Sequence, residues 1–146
     1  MTVENPDFDL KQFLPYLLNQ AAEAASLEFA QVYKDRYGLL RTDWRVLFHL
    51  GLFERMTAQD ISASASIHKT KVSRAVQRLE DRRYLQREKD STDRRREHLS
   101  LTPLGKRVYA DLHEVARQYD ARLTQGMTAQ ELSVLRSALM TLAGGG

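Results

Sequence analysis

Between Lys69 and Arg82 the apolar residues Val72, Ala75, Val76 and Leu79 fall on one side of a 3.6-residue period. Every residue on the other side is polar or charged, Thr70, Ser73, Arg74, Gln77 and Arg78 among them. A helix of this kind buries one face and offers the other to water or to a polar partner. Two short runs follow, Leu85 to Lys89 and Glu97 to Leu101; in the second, Leu99 and Leu101 alternate with His98 and Ser100 as in a half-buried strand. The charged turn between them, Asp90 to Arg96, carries Arg94, Arg95 and Arg96. A two-faced helix leading into a hairpin with a cationic tip leaves few architectures open.

The flanking segments are helical. From Leu14 the residues Leu17, Leu18, Ala21, Ala25, Phe29 and Val32 make a long apolar stripe that ends near Tyr37-Gly38, where glycine can supply the terminal turn. Pro15 fits only in the first turn of that helix, which sets Leu10 and Phe13 apart as a separate short turn. Thr42 is placed to cap a second helix running through Trp44, Leu47, Phe48 and Leu50 to Phe53. Thr57 with Asp60 starts a short third helix, and the serines from Ser62 to Ser66 are expected to end it. The fourth spans His68 to Arg82. After the hairpin, Thr102-Pro103 opens a fifth through Leu104, Val108, Leu112, Val115, Ala116, Tyr119 and Leu123, and the capping box Thr128 with Glu131 opens a sixth through Leu132, Leu135, Leu139 and Leu142.

At 146 residues the chain fits one domain and is too short for a two-domain enzyme. Hydrophobic residues at 42% and charged residues at 28% suit a packed, water-facing fold. The absence of cysteine removes disulfides, thiolate metal ligands and cysteine nucleophiles. His49, His68, His98 and His113 stand 19, 30 and 15 positions apart, so no pair has the spacing of a helical zinc motif, and there is no glycine-rich phosphate loop. Neither an enzyme nor a cofactor or metal site is expected. No apolar run approaches the roughly 20 residues that span a bilayer, and the acidic opening lacks a signal peptide's pattern, so the expected location is cytoplasmic with no membrane partner. Gly144-Gly145-Gly146 reads as a frayed end or an appended tail.

Charge is distributed unevenly. From Ile67 to Arg107 there are 13 Lys or Arg against 6 Asp or Glu, while the remainder holds 9 against 13. A basic middle between acidic ends fits one segment meeting a polyanion while the rest does something else. The order of short helix, serine-rich turn, two-faced helix and hairpin is that of a mainly α winged helix-turn-helix, with about six helices and a two-stranded wing. Its second helix enters a DNA major groove, so its outer face needs side chains that meet base edges and phosphates. Thr70, Ser73, Arg74 and Gln77 are of the base-contacting types, with Arg74 suited to guanine and Gln77 to adenine; Lys69, Lys71 and Arg78 suit phosphates. The rival for those residues is an ordinary solvated face, and for the whole chain a winged-helix protein-interaction module without DNA readout. RNA is disfavoured because no aromatic platform is interleaved with the basic residues.

The hairpin stretch Asp93-Arg94-Arg95-Arg96-Glu97-His98-Leu99-Ser100-Leu101-Thr102 resembles the wing of the MarR family of bacterial transcriptional regulators. The likeness extends through Thr42-Asp43-Trp44-Arg45-Val46-Leu47, Ser73-Arg74-Ala75-Val76-Gln77-Arg78-Leu79-Glu80 and Thr128-Ala129-Gln130-Glu131-Leu132, nearly the whole chain. It implies that Arg95 enters the minor groove while Asp93 holds it, with Arg94 beside them; a narrow groove's negative potential favours a preoriented guanidinium. It also implies one MarR-type domain over 1–146, with 42–102 reading double-stranded DNA and 10–38 and 103–143 joining two copies as a homodimer. A pseudo-palindromic site then follows from symmetry. A small aromatic or carboxylate effector is a further implication, with Glu28, Trp44 and His49 as candidate contacts. Those three have plain alternatives, as an intersubunit salt bridge, a core anchor and a structural histidine. One departure stands out: Arg83 occupies the place of a usual glycine before the wing, so it must adopt a left-handed conformation or end the helix differently.

Overall fold

The structure is a computed structural model that describes residues 8–144. The first seven residues of the acidic opening, and Gly145 and Gly146 of the glycine tail, lie outside the described residues. A 3-10 turn at Leu10–Gln12 precedes α1 (Leu14–Tyr37), α2 (Arg41–Phe53), α3 (Ala58–Ala65) and α4 (Lys69–Asp81). The hairpin β1 (Leu85–Lys89) and β2 (Glu97–Leu101) follows, then α5 (Pro103–Leu123) and α6 (Ala129–Leu142). The chain divides into two compact units, Met1–His113 and Glu114–Gly146. Among the described residues no helix is long and apolar enough to cross a membrane.

Local chemistry explains the element limits. Pro15 sits in the first turn of α1, and Gly38 closes that helix at φ +64°, a conformation that costs glycine little. Thr57 accepts from the Asp60 amide at 3.1 Å while Asp60 accepts from the Thr57 amide at 3.0 Å, a reciprocal cap for α3. The Thr128 and Glu131 pair does the same for α6. Two expectations need correction. Thr42 does not cap α2; the helix starts earlier, and Asp43 takes the Leu40 amide at 2.9 Å instead. Nor do the serines end α3: it continues through Ser62 and Ser64, and stops at Ser66 in a left-handed conformation, φ +53°. The Ser62 hydroxyl donates to the Ile67 carbonyl, which ties down the turn that follows.

In the first unit Val46, Leu47 and Leu50 of α2, Ile61 of α3 and Val72, Ala75, Val76 and Leu79 of α4 form the core. Leu85, Leu99 and Leu101 of the hairpin and Leu112 of α5 are buried as well. The strands pair antiparallel, Leu85 opposite Leu101 and Lys89 opposite Glu97. Met56, between α2 and α3, exchanges both backbone hydrogen bonds with Leu99, which fixes the wing's base to the helices. Arg83 takes the left-handed alternative at φ +64°, a strain of about 1 kcal/mol for a side-chain-bearing residue. Its carbonyl accepts from the Thr102 hydroxyl at 2.6 Å, which braces the entry to β1 against the exit from β2.

In the second unit Arg136 pairs with Asp120 at 2.8 Å. Val134, Leu135, Leu139, Met140 and Leu142 of α6 are left exposed. Separately, Leu14, Leu17, Leu18 and Leu27 leave an uncovered apolar surface on α1.

Candidate nucleic-acid interface

The inner residues of α4 are buried and Lys69, Thr70, Lys71, Ser73, Arg74 and Gln77 are exposed, as the period requires. His68 caps the helix by accepting the Thr70 amide at 3.2 Å, so the first turn is held without an acid that would offset the lysines. Arg78 stands apart from this group. It is half-buried, and its Nε and Nη2 are bound to the carboxylate of Asp43, a residue with no exposed surface. A periodicity argument placed Arg78 outward, but a long side chain can fold back along its helix to a buried acid.

The tip is built around Asp90. One carboxylate oxygen accepts from the Thr92 amide and hydroxyl, both at 2.8 Å, and the other meets His98 Nε2 at 2.9 Å. The contact with His98, followed by those with Thr92, holds the Asp90 carboxyl far below the usual carboxylate range. Asp93 accepts the backbone amide of Arg95 at 3.0 Å. The aspartate thus shapes the chain at Arg95, whereas the resemblance implied a grip on its side chain. Arg94, Arg95 and Arg96 are exposed and, with Lys89 and Glu97, line a cleft of about 340 Å³ against Thr57, Ala58 and Gln59 at the start of α3. Among the described residues Lys69, Lys71, Arg74, Arg94 and Arg95 form no ion pair, although other arginines of the basic segment do.

Arg87 was not singled out by the sequence, yet it joins the two parts of the interface. Its guanidinium donates to Glu80 of α4 at 3.0 Å and to Glu97 of β2 at 3.1 Å. The alternating signs of Glu80, Arg87 and Glu97 were the only available signal. Trp44 and His49 have different described neighbours. Trp44 lies in an aromatic cluster with Phe29, Tyr33 and Phe48, whereas His49 Nδ1 meets the Arg45 carbonyl at 2.7 Å and its ring lies beside Phe53. Glu28 is exposed on α1.

Comparison with known proteins agrees with this geometry. Residues 37–96 match a sequence profile of the MarR family. The chain is 28% identical over 127 residues to the HTH-type transcriptional regulator FarR of Neisseria gonorrhoeae, covering 86% of each chain. It is similar to a MarR-family regulator from Silicibacter pomeroyi, with a TM-score of 0.79 at 25% identity over 96% of this chain and 94% of that one. A crystal structure of NadR in complex with 4-hydroxyphenylacetate gives 0.76 at 26% identity over 98% of each chain. With a set of exposed cations that form no ion pair among the described residues on a two-faced helix and its adjoining wing, the chain has a winged helix-turn-helix fold and is similar to the DNA-binding transcriptional regulators of the MarR family.

Proposed function

We propose that the chain is one MarR-type domain acting in the cytoplasm as a homodimeric, effector-responsive repressor of a pseudo-palindromic operator. Residues 42–102 read the DNA, and 10–38 with 103–143 pair the two copies. Lys69 and Lys71 neutralise phosphates at the mouth of the major groove, Thr70, Ser73, Arg74 and Gln77 meet base edges, and Arg94 and Arg95 serve the flanking minor groove. Asp93 sets the backbone that presents Arg95, and Arg78 braces α4 from behind. The observation that carries this reading is the set of cations on α4 and at the wing tip that have no carboxylate partner among the described residues, on elements that Arg87 ties together. An unpaired cation on a rigid support binds an anion without first breaking a salt bridge.

Pairing is supported by the apolar surfaces left uncovered on α1 and on α6, which a second copy would bury. Two-fold symmetry then places the half-sites about one DNA turn, roughly 10 base pairs, apart. A small aromatic carboxylate effector is supported by the likeness to NadR, whose structure holds 4-hydroxyphenylacetate, and by the aromatic cluster around Trp44. Its binding would lower operator affinity by favouring a dimer whose reading heads are wrongly spaced.

Titration of a labelled operator fragment at several salt concentrations tests the assignment. Arg95→Ala is expected to lower specific affinity by at least tenfold, the order of one well-placed contact, while Lys69→Ala weakens all sequences and flattens the salt dependence by about one counterion. Unchanged operator affinity in Arg95→Ala would refute the wing's role.

A further inference from the structure

All three nitrogens of the Arg87 guanidinium face acceptors on other elements. Besides Glu80 and Glu97, Nη2 lies 3.5 Å from Oε1 of Gln77 on α4. Gln77 is held a second time, because its Nε2 donates to Asp81 Oδ1 at 2.9 Å. These two neighbours decide which way the amide faces. A guanidinium offers only donors and an ionised carboxylate only acceptors, so the oxygen must face Arg87 and the nitrogen Asp81. Turned over, the amide would set N–H against N–H and oxygen against oxygen.

Both contacts leave capacity over. A glutamine oxygen has two lone pairs and its nitrogen two hydrogens, and one of each is in use. The remaining acceptor and donor are the two that adenine requires at N6–H and N7. A glutamine free on an exposed helix would have to be ordered on meeting its base, at a cost that offsets part of what the correct pair contributes. A glutamine already fixed has less of that cost, and it cannot reverse its amide to suit another base.

We propose that Arg87 is a positioning residue for base discrimination: by holding Gln77 Oε1 from the wing's first strand, it presets the orientation in which α4 offers that amide to an adenine. Arginine suits the task because its planar fork serves Glu80, Glu97 and Gln77 at once, whereas lysine supplies the same charge at a single point. The inference rests on the reading of Gln77 as a base-contacting residue.

The test uses the full chain and a panel of operator fragments, each changed at one base pair, in competition against the parent fragment. Arg87→Met, Arg87→Lys and Gln77→Ala are compared with the wild type, with a thermal melt of each to establish that it is folded. Both Arg87 variants are expected to lose discrimination about tenfold at one position of each half-site, the same position at which Gln77→Ala loses it. Other positions keep their wild-type ratios. Arg87→Lys separates positioning from charge, and it carries the comparison should Arg87→Met fail to fold. If Gln77→Ala shifts one position while the folded Arg87 variants keep every ratio, or lose affinity evenly, the proposal falls and the reading of Gln77 stands. If Gln77→Ala shifts no position, the reading of Gln77 itself fails and the proposal falls with it.

Discussion

Arg78 grips both carboxylate oxygens of Asp43, with Nε at 2.9 and 3.1 Å and Nη2 at 2.7 Å. The pair joins the back of α4 to the start of α2, where Asp43 also caps the Leu40 amide. Its members are unequal: the Asp43 side chain has no exposure, while that of Arg78 keeps 36%. Losing the guanidinium therefore strands a desolvated carboxylate. An uncompensated buried charge costs about 3–5 kcal/mol, and water entering through the open side of Arg78 reduces this. Arg78→Met is expected to lower unfolding stability by about 2–3 kcal/mol in urea titrations, with the Asp43→Asn, Arg78→Met double variant recovering at least half. Equal loss in the two variants would show that the buried charge is not the cause.

Gly105 permits the wing's base to meet α5. A Cβ built there would lie 1.9 Å from the Tyr84 carbonyl oxygen, a backbone atom that no rotamer change can move. Gly105→Ala must displace the turn between α4 and β1, and overpacking of this kind costs about 1–3 kcal/mol or more. The expected result is a lower melting temperature together with weaker operator binding, since the same turn aims the wing. A melting temperature equal to the wild type's would contradict the close approach.

A phenol sets an alkaline limit on stability. Tyr37 donates to Asp111, which also accepts from Arg36 Nη1 at 3.0 and 3.1 Å. Burial first, and then the contact with Asp111, push the Tyr37 hydroxyl up to about 12. The unfolded phenol titrates near 10, so the folded state holds this proton more tightly. The resulting stabilisation is complete below about pH 10 and is lost as pH rises toward 12. Urea titrations between about pH 9 and 12 should show the wild type losing more stability than Tyr37→Phe across this window. Parallel curves for the two proteins would remove Tyr37 from the explanation.

The elements that hold the interface were legible because their signals are short-range. Val72, Ala75, Val76 and Leu79 set the orientation of α4 through period alone, and the alternation of Leu99 and Leu101 located β2 to the residue. The boxes at Thr57 and Thr128 marked helix starts because cap and partner lie three positions apart. Long-range partners were not legible. Nothing local shows that Arg78 meets Asp43, 35 positions away, or that Arg87 reaches both Gln77 and Glu97. Met56 shows no alternation because it contributes a single bridge to Leu99. The serines of α3 do not break the helix, because the weak helix propensity of serine gives way to the burial of Ile61 and Ala65. Arg83 is a conflict visible in the sequence, and the chain resolves it by accepting the left-handed strain.

The most direct measurement is recovery of genomic fragments by the purified full chain at about 150 mM salt, where screening suppresses loose electrostatic attraction. Sequencing of the bound fraction should yield inverted repeats whose half-sites lie roughly 10 base pairs apart, with the Arg95→Ala protein failing to enrich them. Fragments recovered in proportion to their length alone, or equal enrichment by the Arg95→Ala protein, would contradict sequence reading by α4 and the wing.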